Sequence, residues 1–300
     1  MATAAVSQAE MAKTPIDLSA VRGWRATKSR IMTGLMMLSL VIVGIPLVAV
    51  IFTVISKGIG AMSISFLTED IPDSARTVGP GMGPAVLGTL LITFAATAMA
   101  VPLGILGAVF LHEYGGGSRF AQLVRFMATV MTGVPSIVMG LFIYVLFTLR
   151  FGLMGFGGSL ALACLMLPIV VRSTEEMLKL VPDSLREGSL ALGCTKSRTI
   201  LTVVLPAALP GVVSGSLLAV ARAAGETAPL IFTIGGAKVI NRSLFSGENT
   251  ALSAQIFANA NSPFAGAVDR AWGAALTLVL IAFVFTLIAR VATARLAIKR

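Results

Sequence analysis

Within AVARAAGETAPLIFTIGG, residues 219–236, an arginine and a glutamate stand four apart, Arg222 and Glu226. Between Arg198 and Arg222 lie 23 residues without a charge, and no further charged residue follows Glu226 until Lys238. A second arginine, Arg172, ends an uncharged run that begins at Phe151. A guanidinium offers paired N–H donors in a planar fork that matches two oxygens of a tetrahedral oxyanion. Two of them on neighbouring helices, facing one path, would pass or hold such an anion, and Glu226 would temper the attraction. A blander arrangement uses the same residues: an internal Arg222–Glu226 ion pair that locks helices together, with Arg172 snorkelling to the inner boundary. Bond-breaking chemistry has little to work with. The single histidine, His112, sits beside Glu113 at the end of an apolar run and reads as interfacial, because a metal site needs more ligands. No Ser/His pair, paired aspartates, metal-spaced cluster or cofactor motif is present.

The elements that must position these charges are membrane helices. Hydrophobic residues make up 56% of the 300 and charged residues only 12%, with a mean hydropathy of +0.93. Six uncharged runs are long enough for a hydrocarbon core that takes about 20 helical residues: 31–56, 77–111, 126–149, 151–171, 199–221 and 271–289. None shows the alternation of an outer-membrane barrel strand. The expected fold is therefore an all-α polytopic protein with six transmembrane helices. Lysine and arginine then orient it. Sixteen lie in the N-terminal tail, alternate loops and C-terminal end, and six lie in the other loops, which predicts both termini in the cytoplasm. The net charge of +10 is mostly this bias, so nucleic acid is not an expected partner. Residues 1–30 read as a cytoplasmic tail without a cleavable signal, in which DLSAVRGWRATKSR would lie along the inner surface with Trp24 at headgroup depth. Residues 31–300 form the transmembrane domain. The loops at 57–84, rich in Gly and Pro, and 236–270, polar and irregular, are expected outside. Cys164 falls in a span and Cys194 in a cytoplasmic loop, so no disulfide is expected between them.

That cytoplasmic loop, VPDSLREGSLALGCTKSRTILTVVLPAALP over residues 181–210, is the most informative stretch. Pro182 and Asp183 break the preceding helix, and Ser184 with Glu187 has the spacing of a capping box. Gly193 lets the chain turn. Leu185, Leu190, Leu192, Ile200 and Leu201 leave an apolar surface where water is expected. That surface suits either a short helix lying on the membrane or a partner protein. GCTKS within the loop lacks the residue order and the strand–loop–helix setting of a nucleotide-binding loop.

The loop resembles that of permease subunits of bacterial ATP-binding-cassette importers, which carry Glu-Ala-Ala, three residues, Gly, nine residues, then an apolar residue, any residue and Leu-Pro. Glu187, Gly188 and Ser189 stand at the first three positions, Gly193 follows at the right spacing, and Val203, Val204, Leu205 and Pro206 close the pattern. The departures are Gly188 and Ser189 for the alanines, both small. Within that family GPGMGPAVLGTL, LPIVVRSTEEMLKLVPDSLREG and AVARAAGETAPLIFTIGG are most similar to the A-type permease subunit of phosphate-specific importers.

The resemblance implies a type I importer permease in the bacterial cytoplasmic membrane. Residues 181–206 would be a coupling loop seated in a cytoplasmic ATPase through Asp183, Arg186, Glu187 and Gly193. It also implies a second homologous permease chain, a dimer of ATP-binding subunits that alone hydrolyse ATP, and an extracytoplasmic phosphate-binding protein. Arg172, Arg222 and Glu226 would line the pathway. Glu226 could accept the O–H of phosphate and repel an aprotic dianion such as sulfate. An importer of another oxyanion (sulfate, molybdate, phosphonate) has the same architecture. An ion-coupled secondary transporter is disfavoured by the lack of a repeat of broken helices and of a carboxylate relay.

Overall fold

The computed structural model describes residues 24–77, 79 and 81–298, without the side chains of residues 25, 289 and 292–298. The expected N-terminal tail lies, up to residue 23, outside the described residues. From Trp24 onward the chain is already helical and runs directly into the first span, α1 (Trp24–Gly58). The chain divides into two compact units, residues up to Thr53 and residues from Val54. The first unit is the body of α1, whose apolar side chains from Ile31 to Phe52 are largely exposed.

The second unit opens with a turn at Ile59–Ala61 and a short helix α2 (Ile64–Thr68) capped by Ser63, whose Oγ accepts from Phe66 N at 3.0 Å. Then come α3 (Gly83–Val109), α4 (Arg119–Gly133), α5 (Ser136–Ile143), α6 (Leu149–Phe151) and α7 (Gly155–Lys179). After them follow α8 (Asp183–Ala191), α9 (Lys196–Thr199), α10 (Leu205–Ala224), α11 (Ala228–Thr233), α12 (Leu252–Ala260) and α13 (Ala265–Ile298). No strand occurs among the described residues.

Five of the expected spans are single long apolar helices; the third is broken. It bends by 107° between Arg119–Gly133 and Ser136–Phe151. Pro135 has no N–H to continue the ladder and forces Val134 into extended backbone, at ψ 128°, so the helix must stop there. The last span starts at Ala265, ahead of Ala271, which places Asp269 and Arg270 within a helix. The loop before it, expected to be irregular, contains α12.

At the centre, α7 packs against α3 on one side and α10 on the other. Lipid tails give apolar side chains no reason to leave them, so close packing depends on small residues. A Cβ on Gly104 of α3 would sit 2.6 Å from Val170 Cγ1, and one on Gly215 of α10 would sit 2.6 Å from Ser173 Cβ. Gly211 likewise makes room for Met177. Around these contacts Ile92, Ala96, Leu162, Met166, Val170, Ala219 and Ala223 form the main core.

Candidate functional site

The small-residue contacts fix the register of α7 on α10. Gly211 faces Met177 and Gly215 faces Ser173, so each four-residue step along one helix is matched by four steps back along the other. The same register brings Ala219 beside Ile169 and Ala223 beside Leu165, and those four residues line one cleft with Met166, Arg222 and Glu226. Extended by one position, it sets Arg222 level with Met166, near the middle of α7. Arg172 lies six residues nearer the coupling loop, or roughly 9 Å along the axis at 1.5 Å per residue. The two arginines are therefore on adjacent helices but stand in succession along the membrane.

Arg222 stands near the C-terminal end of its helix. The helix runs unbroken from Lys196 through α9, a π-helical turn at Ile200–Val204 and α10, and its last residue is Ala224, two positions beyond the arginine. Gly225 N bonds Arg222 O at 3.1 Å, the chain breaks through Glu226 and Thr227, and α11 resumes it. A cation in the last turn meets the negative end of the helix dipole. Glu226 thus lies past the helix end, yet its Oε1 still approaches Arg222 Nε at 3.6 Å, and its carbonyl is held by Ser253 Oγ at 2.9 Å. The Glu226 side chain is 19% exposed and the Arg222 side chain 70%, so the arginine is far from satisfied by its partner.

α7 does continue past Arg172, as expected, to Lys179. Arg172 Nε contacts Glu176 Oε1 at 3.3 Å, and both side chains are exposed. Beside them Arg125 of α4 donates from Nε to Glu175 Oε1 at 2.8 Å and from Nη2 to the Leu111 carbonyl at 2.6 Å, while Lys179 stands 3.7 Å from the same carboxylate. These five charged residues line a cavity of about 170 Å³ with Thr129 and Val171. Arg125 and Glu175 were not among the expected site residues. Their only signal was the doublet Glu175–Glu176 at the close of an apolar run, where one carboxylate turns inward and needs a cation.

The loop at 181–206 folds as a helical hairpin pinned to Phe110–Tyr114, the π-helical turn that follows α3. Arg186, expected to face a partner, turns inward. Its Nη2 donates to Glu113 Oε1 at 3.0 Å and to the Leu178 carbonyl at 2.9 Å, and its Nη1 donates to the Val181 carbonyl at 2.7 Å and to Asp183 Oδ1 at 2.9 Å. His112 Nε2 lies 3.3 Å from Nη2, so the histidine belongs to this cluster. Lys196 Nζ donates to the Glu113 carbonyl, and Ser189 Oγ meets Thr199 Oγ1 at 2.9 Å to close the hairpin. The expected capping box does not form. α8 starts two residues earlier, with Pro182 at its N-cap, and Asp183 takes the acidic first turn. Gly193 adopts φ +83°, the left-handed backbone that a side chain resists. Glu187, Leu185, Leu190, Leu192 and Leu201 remain exposed, whereas Ile200 is buried. Gly188 has open space around its Cα, so the small residue there serves no packing within the chain. Both cysteines are free.

Residues 100–298 match the family of binding-protein-dependent transport system inner membrane components. The chain belongs to this family. It is a multi-pass protein of the cytoplasmic membrane. Among relatives of this binding-protein-dependent component, a Yersinia pestis protein named phosphate transport system permease protein PstA is 39% identical, over 91% of this chain and 92% of its own. A Mycobacterium leprae protein of the same name is 43% identical over 86% of each. In fold it is similar to the inward-facing methionine transporter MetNI, with a TM-score of 0.58 and 19% identity over 72% of this chain and 95% of that one.

Proposed function

We propose that this chain is a membrane permease subunit of an ATP-driven phosphate importer. It supplies half of the translocation path and links it to a separate ATPase. What supports this reading is Arg222: a guanidinium level with the middle of α7, at the broken end of its own helix, 70% exposed and only loosely met by Glu226. Phosphate steps past it and then past Arg172, some 9 Å further on, so the anion is handed along and is never trapped between two cations at once. Named relatives that carry phosphate support the choice of substrate over other oxyanions. A second homologous permease chain completes the path, an extracytoplasmic phosphate-binding protein delivers the anion, and a dimer of ATP-binding subunits docks on the exposed leucines and Glu187 of α8, with Asp183 beside them. Arg186 positions that helix from within, and Gly193 sets its turn. Both termini then lie in the cytoplasm.

Phosphate uptake by cells at matched membrane abundance tests the role of Arg222. Arg222→Gln removes the charge and is expected to abolish most uptake, with sulfate a poor competitor in the unmodified protein. An arginine present only to pair with Glu226 would behave otherwise: the Arg222→Gln, Glu226→Gln double variant would transport again, and the pathway role would be lost.

A further inference from the structure

At the end of α3 opposite the coupling loop, a cavity of about 500 Å³ opens between the C-terminal end of α1, α2 and the first turns of α13. Lys57, Ser63, Phe66, Asp269 and Arg270 are among its walls. Arg270 is only 4% exposed. It donates from Nη1 to the Thr77 carbonyl at 2.6 Å and from Nη2 to the Ala75 carbonyl at 3.5 Å, and its Nε has no partner. It makes no ion pair among the described residues. Neutral carbonyls do not cancel the charge of a buried guanidinium, and burial makes the missing counter-ion costly.

The second cation of the cavity is Lys57, whose Nζ lies 4.9 Å from the centroid of the Trp272 ring. A lysine stacked on a tryptophan where two spans meet is the arrangement of the membrane–water boundary, at headgroup level. The walls are set by backbone contact. A Cβ on Gly58 would lie 2.8 Å from the Trp272 carbonyl oxygen, and one on Gly273 would lie 2.7 Å from Phe66 Cζ. The space is thus preformed, and it greatly exceeds the roughly 30 Å³ share of a single water.

We propose that this cavity binds a phosphate-bearing anion, with the buried charge of the Arg270 guanidinium and the Lys57 ammonium as its cationic attractors. Asp269 tempers the site and can accept a hydroxyl, from the glycerol of a headgroup or from protonated phosphate. An anionic phospholipid headgroup and inorganic phosphate share this chemistry. Neither Arg172 nor Arg222 lines the cavity, so the inference stands apart from the transport reading.

The test uses the full chain in non-ionic detergent with Trp24→Phe, which leaves Trp272, stacked against the cavity residue Lys57, as the sole tryptophan. Its fluorescence is titrated with dioctanoyl phosphatidylglycerol, with inorganic phosphate and with dioctanoylglycerol. Saturation by a phosphate-bearing ligand and none by dioctanoylglycerol is expected, with a midpoint at least tenfold weaker in Arg270→Gln. Response to the lipid alone assigns the headgroup as the source, and response to phosphate alone assigns the free anion. Should Arg270→Gln fail to fold, Lys57→Gln decides: this side chain is exposed, and a severalfold weaker midpoint is expected. No saturable response, an equal response to dioctanoylglycerol, or a midpoint unmoved in the folded variants overturns the proposal.

Discussion

Arg186→Met removes the inward staple of the coupling loop while keeping much of its apolar stem. The Glu113 carboxylate it serves is 7% exposed, so the variant strands a buried charge. Removing one member of a buried pair costs about 3–5 kcal/mol, whereas an exposed pair is worth about 1 kcal/mol or less. The Leu178 and Val181 carbonyls also lose their donor, at about 1–3 kcal/mol each while they stay buried. Local release of the loop relieves these penalties by wetting the groups, so the loss falls on docking of α8 and leaves the membrane core intact. Even the lower figure of about 3 kcal/mol shifts the docked-to-released ratio by roughly two orders of magnitude. In proteoliposomes holding the complete transporter, phosphate moved per ATP hydrolysed is expected to fall below about a tenth of normal, with hydrolysis continuing. Hydrogen exchange over residues 183–199 should accelerate. Adding Glu113→Gln should recover part of the coupling, because a neutral amide needs no counter-ion. Asp183→Asn should do little, since Asp183 is 86% exposed. Normal coupling and normal exchange in Arg186→Met would refute the reasoning.

Arg222→Lys is expected to recover only part of the uptake lost in Arg222→Gln, because an ammonium lacks the paired fork; full recovery in a phosphate uptake assay would count against fork contacts. Gly193→Leu must hold a side chain at φ +83°, a strain of about 1–2 kcal/mol, and should lower the ratio of transport to hydrolysis without reducing membrane insertion. Gly104→Leu places atoms where Val170 already sits and should destabilise the folded chain by about 1–3 kcal/mol or more, read as a lower midpoint of thermal unfolding in detergent. With Cys164 and Cys194 replaced, Ser74→Cys should react with an impermeant thiol reagent added outside intact cells and Ser184→Cys should not. The reverse pattern would invert the topology.

Span count, helical class and family were legible because each rests on local statements. A run of some 20 apolar residues has one low-energy answer in a bilayer, and the Glu187–Gly193–Pro206 spacing is read along the chain. Gly193 was legible for the same reason, since a turn after a short helix calls for a left-handed residue. Legibility failed where a residue's role depends on a partner distant in sequence. Arg186 and Glu113 are 73 residues apart, and Arg125 and Glu175 are 50 apart, so no window contains either pair. The capping box failed on a smaller scale: Ser184 had the right spacing, but Pro182 starts the helix first.

By itself the sequence determined that this chain crosses a membrane as helices, and it marked the charged residues within apolar runs that need a reason to be there. Local backbone and solvation energies fix those answers whatever the rest of the chain does. Only the tertiary structure decided how the charges meet. The antiparallel packing of α7 on α10 through Gly211 and Gly215 set Arg222 and Arg172 roughly 9 Å apart along the helix axes. The packing of α13 against the end of α1 buried Arg270, a residue the sequence had left in a loop. Register between helices is set by which small residues allow two backbones to touch, and that choice involves both surfaces at once.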